Sequence, residues 1–134
     1  MTRMISIPEQ FLDLLRDPHV GSLATVRMDG APTMSPMWFA WDGQLLRFTH
    51  TTRRAKLAEL QQEPRLSLLV IDPADGYRYL QVRAAVREVN PDPTGAFYVE
   101  LARRYGRPPI PPSDSPDRVV IVAEPIGVSY SSRG

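Results

Sequence analysis

No cysteine occurs in the 134 residues. That one absence excludes a disulfide framework, a thiolate nucleophile and any cysteine-ligated metal. Neither sign of charge is in surplus: 16 Lys and Arg face 15 Asp and Glu, a formal net charge of +1. A nucleic-acid-binding surface is expected to carry a clear basic excess, so no nucleic acid partner is expected. No apolar run approaches the roughly 20 residues of a membrane-spanning helix, and the N-terminal stretch MTRMISIPEQ has no apolar signal core. A cytoplasmic protein without a membrane partner is the expectation. Histidine is scarce, with only His19 and His50, and no His/Asp/Glu group has metal-ligand spacing. No serine sits in a nucleophile elbow or pairs visibly with a histidine, and no glycine-rich phosphate loop occurs. Hydrolytic and metal mechanisms therefore lack their residues, no catalytic side chain is named, and any chemistry is expected to come from a bound cofactor.

What is present is an ordinary globular balance, 43% hydrophobic and 23% charged, in a length that suits one domain over residues 1–134. Ile7 to Arg16 reads as a short amphipathic helix. Gly21 to Met28 reads as a strand, Asp29-Gly30 as a hairpin turn, and Met34 to Trp41 as the next strand. Leu66 to Ile71 is a nearly continuous apolar run, expected to be a strand buried on both sides. Tyr77 to Val89 alternates with period two, with Leu80, Val82, Ala84 and Val86 on one face and Tyr79, Gln81, Arg83 and Arg87 on the other. A helix is expected from Pro91–Pro93 to about Tyr105, closed by Gly106. The proline-rich Arg107–Pro116 is a surface loop or lid. Arg118 to Val128 is a last strand in which Pro125 marks an edge or a bulge, and the tail after it is expected to fray. The expected architecture is mainly β with flanking helices: six antiparallel strands closing into a small barrel.

The chain is organised around Met34 to Leu60. Asp42-Gly43 separates two apolar runs, the strongest short hairpin signal, with both turn residues expected at positive φ. The second strand runs into Thr51-Thr52, either of which suits a helix N-cap. The helix then carries Leu57 and Leu60, with Ala55 and Ala58 packing beside them. Arg53, Arg54 and Lys56 crowd its first turn, where the helix end is already partly positive and cations are disfavoured. Bare N–H groups, threonine hydroxyls and cations together suit an anion such as a phosphate; a solvated basic face is the alternative. Pro36 in mid-strand signals an edge or bulge. Unpaired backbone beside an aromatic ring suits a flat heterocycle. Phe39 is read as a core aromatic, Trp38 as either core or stacking surface, and His50 as either facing the ligand or at the surface.

The Ser-Pro-x-Trp strand with its Asp-Gly hairpin, the Arg-Ala-Lys helix start and the Tyr-Arg-Tyr-Leu strand follow one another in an order that resembles the split β-barrel, flavin-reductase-like superfamily that includes pyridoxamine 5′-phosphate oxidase. Within it, the resemblance is greatest to the actinobacterial branch that uses the deazaflavin coenzyme F420. It covers nearly the whole chain. It implies a six-stranded split barrel, homodimeric, with two cofactor sites at the subunit interface. Arg54 and Lys56 match the pair that holds the cofactor phosphate, with Thr49, Thr51 and Thr52 beside it. Ser35, Pro36, Met37 and Trp38 match the strand along the tricyclic ring, and Tyr77, Arg78 and Tyr79 match the strand that the second subunit brings. The implied activity is hydride transfer from reduced F420 to a small unsaturated acceptor of tetrapyrrole, quinone or enone type. An FMN enzyme of the same fold and a non-catalytic flavin, deazaflavin or tetrapyrrole binder are the alternatives. The C-terminal basic and tryptophan segment of pyridoxamine phosphate oxidases is missing, which weakens vitamin B6 oxidation. Arg53, Arg54, Arg78 and Arg118 are the cations expected to line a groove for the acidic tail of F420.

Overall fold

The structure is a computed structural model and describes residues 5–132. Seven strands form one antiparallel sheet: β1 (Gly21–Val26), β2 (Pro32–Met37), β3 (Ala40–Trp41), β4 (Leu46–Thr51), β5 (Arg65–Asp72), β6 (Asp75–Pro91) and β7 (Arg118–Ser131). Three helices flank them: α1 (Asp13–Arg16), α2 (Ala55–Gln62) and α3 (Ala96–Arg104). The strand order is β2-β1-β5-β6-β7-β4-β3. The two edge strands, β2 and β3, are consecutive in sequence and separated only by Trp38 and Phe39. Two linking residues span at most about 11 Å between the flanking Cα atoms, so the two edges of the sheet lie within about that distance of each other at the link.

That link accounts for seven strands instead of the expected six. The run Met34–Trp41 is not one strand: it leaves one edge of the sheet at Met37 and joins the other at Ala40. Pro36 sits on β2, which pairs only with β1, as an edge proline should. Phe39 is fully buried. Its backbone, outside any ladder, is satisfied by α3. The Phe39 N–H donates to the Tyr105 hydroxyl at 3.1 Å, and the Phe39 carbonyl accepts from Arg104 Nε at 2.9 Å. The same guanidinium donates to the carbonyls of Leu15, Arg16 and Asp17 at 2.8–2.9 Å; the end of α1 would otherwise leave the first two without partners, while the third also accepts from the His19 N–H. Tyr105 donates in turn to the His19 carbonyl at 2.7 Å.

The core follows the period-two pattern. Leu66, Leu68 and Val70 of β5 and Leu80, Val82 and Ala84 of β6 point inward with Phe48 and Ile121. Phe11, Leu14 and Leu15 cover one side, Leu57 and Leu60 another. Each of these side chains larger than alanine stabilises the fold by about 1.5–3 kcal/mol relative to exposure. Gly21 lies against the buried Leu68 side chain, which would have to shift to admit a Cβ there.

Several local expectations are revised. The first helix is a 3-10 turn, Glu9–Phe11, followed by the single turn of α1. The strand expected to reach Met28 ends at Val26, and β2 begins at Pro32. β5 is buried on one face only, since Leu69 is half-buried and Ile71 is exposed. Both Asp-Gly turns form, but no residue other than glycine among those described has positive φ. The aspartates act through their side chains instead: Asp42 Oδ1 accepts from the N–H groups of Gln44 and Leu45, and Asp29 Oδ1 from Ala31. Neither Thr51 nor Thr52 caps α2. Thr51 is still in β4, and Arg54 is the N-cap residue, without a side-chain cap. Ala55 and Ala58 are exposed, and Glu59 is buried in their place. Pro91 ends β6, so α3 starts later, at Ala96, with Asp92 Oδ2 accepting from the Phe97 N–H at 3.0 Å. Gly106 closes it at φ +68°. Pro125 lies beside a register shift between β6 and β7, a bulge in a strand that is not an edge. β7 continues to Ser131, beyond the expected Val128, so the expected fraying does not extend over Ser129–Ser131; Arg133 and Gly134 lie outside the described residues.

Arg104→Ala removes four charge-assisted bonds at once and is expected to destabilise the fold by about 2–4 kcal/mol. Arg104→Lys keeps the charge but not the fork and should recover only part of that. Urea denaturation followed by circular dichroism measures both; a loss under about 0.5 kcal/mol for Arg104→Ala would contradict the clamp.

Candidate functional site

A cavity of about 530 Å³ opens between the end of β2 and the end of β4. One wall is Ser35, Pro36, Met37 and Trp38, and the opposite one is Thr49, His50 and Thr51. Arg54 and Lys56 stand at the start of α2, and Val20, Tyr98 and Arg118 complete the rim. The walls meet because of the two-residue link: Trp38 follows β2 directly, and the strand after the link pairs with β4.

Trp38 stacks on Tyr105, with ring centroids 5.0 Å apart and planes 7° from parallel, and is tilted by 44° to Tyr98 at a centroid separation of 6.2 Å. Its orientation is thus set by α3. Phe39 is the core aromatic it was expected to be. The Ser35 hydroxyl is buried and has no hydrogen-bond partner among the described residues. An unsatisfied buried hydroxyl costs about 1–3 kcal/mol, which a polar ligand atom in the cavity would offset.

The cationic end has two kinds of cation. Lys56 Nζ donates to the buried Thr25 hydroxyl of β1 at 3.0 Å, which positions the ammonium and leaves its other N–H groups available. Arg54 has no carboxylate partner among the described residues, and the first turn of α2 contains no acidic residue. The N–H groups of that turn have no intrahelical acceptor, so the local field is positive. The remaining expected cations are already paired. Arg53 contacts Asp117 at 2.5 Å. Arg118 pairs with Asp114 at 2.9 Å and lies over the Tyr98 ring, and its guanidinium holds the Asp114 carboxyl below the usual range. Arg78 is bound to Asp13 and Asp72, to the Gln10 carbonyl and to the face of Phe11, and its own pKa is raised by Asp13 first. The spare charge expected along an outward groove thus reduces to Arg54 and Lys56.

The structure brings together Ser35, Pro36, Met37, Trp38, Thr49, Thr51, Arg54 and Lys56 at this cavity. It does not bring Thr52, which is exposed and donates through its N–H to the Asp117 carbonyl at 3.0 Å. Nor does it bring Tyr77, Arg78 and Tyr79, which lie on β6 away from the cavity within the one chain. Tyr98 reaches it from α3 and Val20 from the residue before β1, and no local pattern announces either; Arg118, expected among the groove cations, lines it from β7. His50 is 7% exposed. Burial, joined by the like charges of Arg54, Lys56 and Arg118, holds its imidazole below the ordinary histidine range.

A cavity with an aromatic wall, an orphaned hydroxyl and two cations at one end fits a planar ligand that carries a phosphate. The family model described as pyridoxamine 5′-phosphate oxidase matches residues 7–132. A solved structure named an F420 reductase is 52% identical, covers 92% of this chain and 98% of its own, and superposes with a TM-score of 0.89. A conserved hypothetical protein from Mycobacterium tuberculosis is 23% identical, with 97% and 89% coverage and a TM-score of 0.76. The heme storage protein HutZ from Vibrio cholerae is 17% identical, with 97% and 98% coverage and a TM-score of 0.70; these last two share the fold. By the family match over residues 7–132 and the 52% identity to the F420 reductase, this chain belongs to the pyridoxamine 5′-phosphate oxidase-like superfamily, in the branch that holds that reductase.

Proposed function

We propose that this protein is an oxidoreductase that binds coenzyme F420 in the cavity between β2 and β4 and passes a hydride from the reduced cofactor to an unsaturated organic acceptor. The observation that carries the reading is the juxtaposition of Arg54 and Lys56, at a helix start free of carboxylates, with the Ser35–Trp38 wall. The 52% identity to an F420 reductase supports it. Arg54 and Lys56 hold the cofactor phosphate, with Thr49 and Thr51 beside it. Ser35, Pro36, Met37 and Trp38 lie along the ring, where the Ser35 hydroxyl finds its missing partner. When bound, the cofactor supplies the hydride; the chain orients it, excludes water with Trp38 and Tyr98, and stabilises its negative charge. The acceptor is a tetrapyrrole, quinone or enone, and the Pro108–Pro112 segment borders its approach.

The same reading makes residues 1–134 one cofactor-binding unit, closed as a split barrel and paired with a second copy. Tyr77, Arg78 and Tyr79 of the partner subunit then complete each site. Arg78, already bound to Asp13 and Asp72, contributes there by fixing the strand that carries the two tyrosines. FMN is the second reading, favoured by one specific observation: Arg53, Arg78 and Arg118 have carboxylate partners, which leaves fewer cations for an acidic tail than F420 would use.

Three outcomes are expected. Arg54→Ala combined with Lys56→Ala should weaken cofactor affinity at least about tenfold, since each change removes a charge-assisted contact, with an unchanged circular dichroism spectrum. Fluorescence titration measures it, and an unaltered affinity would remove the phosphate site. F420 should bind more tightly than FMN, the preference that the 52% identity to an F420 reductase supports. Equal or tighter FMN binding at low salt returns the protein to the flavin branch. Sedimentation at micromolar concentration should give twice the chain mass, with the same patch meeting itself across a two-fold axis; a monomer that binds cofactor at full affinity contradicts the shared site.

A further inference from the structure

His50 lies in the wall of the cavity, yet neither the phosphate site nor the ring wall uses it. Its ring is placed by its own strand. The Thr51 N–H donates to His50 Nδ1 at 3.0 Å. A backbone N–H is only ever a donor, so Nδ1 must carry its lone pair there, and the ring proton belongs on Nε2. The Thr51 carbonyl, at 3.4 Å from the same nitrogen, is the poorer partner by distance. The described charged groups that act on the ring are all cations: Arg54 and Lys56 from the start of α2 and Arg118 from β7. The nearby carboxylates, Asp114 and Asp117, are turned to Arg118 and Arg53. No acid is therefore placed to stabilise an imidazolium, and burial opposes one as well. Nε2, by contrast, has no partner in any hydrogen bond of the described residues involving this ring, and it belongs to a side chain that lines the cavity.

We propose that His50 is locked as a neutral imidazole whose Nε2–H is a fixed hydrogen-bond donor into the cavity, and that it selects a ligand presenting an uncharged acceptor, a carbonyl or hydroxyl oxygen or an unprotonated ring nitrogen, at that wall. This rests on the reading of the cavity as the cofactor site. His50 is a specificity residue in it: it neither carries a proton to the reaction nor pairs with the phosphate, which belongs to Arg54 and Lys56. A neutral donor between three cations has a physical use. It recognises the uncharged middle of the ligand without adding to the like-charge repulsion that a fourth cation would bring.

Two measurements test this, and the first needs no ligand. In protein labelled with 15N at histidine, the His50 ring should show a protonated Nε2 and an unprotonated Nδ1 at pH 7, assigned against a His19→Gln variant. The opposite tautomer, or an imidazolium, overturns the proposal. The second measures the affinity of FMN and of riboflavin, and of F420 and its phosphate-free deazariboflavin chromophore. His50→Leu should lower affinity about tenfold for the phosphorylated and phosphate-free member of a pair alike. His50→Gln, which keeps an amide donor, should recover most of that. A loss confined to the phosphorylated members, or the appearance of an imidazolium when they bind, assigns His50 to the phosphate and overturns the proposal. If none of the four ligands binds, the cofactor reading fails and with it the ligand selection, while the ring assignment is decided by the first measurement alone.

Discussion

The guanidinium of Arg104 is the contact on which the geometry of this protein depends. The strand order obliges the chain to cross from one edge of the sheet to the other in two residues, and those residues have left the ladder on both sides. A buried backbone in that position must find partners elsewhere. Arg104 and Tyr105 supply them, and the same guanidinium gathers the last carbonyls of α1. Three pieces distant in sequence, the N-terminal turn, the link and the end of α3, are thereby held as one body. Trp38 takes its place in the cavity wall from this arrangement: the ring rests on Tyr105, whose hydroxyl is itself fixed to the link and to the His19 carbonyl.

A balanced composition conceals an unbalanced cavity. The carboxylates Asp13, Asp72, Asp114 and Asp117 each meet an arginine, and their positions tie the N-terminal segment to β6 and the proline-rich loop to β7. Arg54 and Lys56 remain without carboxylate partners among the described residues. The field at that end of the cavity comes from where the negative charge has been placed, since the net charge of +1 has almost no bearing on it. It adds to burial, the larger cause, in holding the imidazole of His50 below the ordinary histidine range.

Much of the fold was readable in the residues because period-two alternation directly reports one buried face; Leu80, Val82 and Ala84 are the clearest case. The Asp-Gly turns were readable too, although the aspartates act by accepting backbone N–H groups and only the glycines need positive φ. The break at Trp38 was not readable. MSPMWFAW is continuously strand-forming, and only the order of distant strands reveals that its two halves belong to opposite edges. The cavity residues contributed by adjacent positions, Ser35 to Trp38 and Arg54 with Lys56, followed from local pattern. Tyr98 did not, because it arrives on a helix whose placement is tertiary. The pairing of Arg53, Arg78 and Arg118 was invisible for the same reason: a charged residue reads as spare until its partner is located in space.

The position of β7 has a consequence for how the molecule is made. Within the sheet, β4 has only β3 and β7 as neighbours, and β7 alone joins that pair to β6. Until Arg118–Ser131 has emerged from the ribosome, the β3–β4 hairpin has no ladder connecting it to β1, β2, β5 and β6, and is attached to them only through the backbone. Both walls of the cavity precede β7 in the chain, so within the sheet they are joined through the ladder only once β7 is in place. Pairings so distant along the chain place this protein among the slower-folding topologies, and until they form the edges of β4 and β6 that face β7 have no ladder partner.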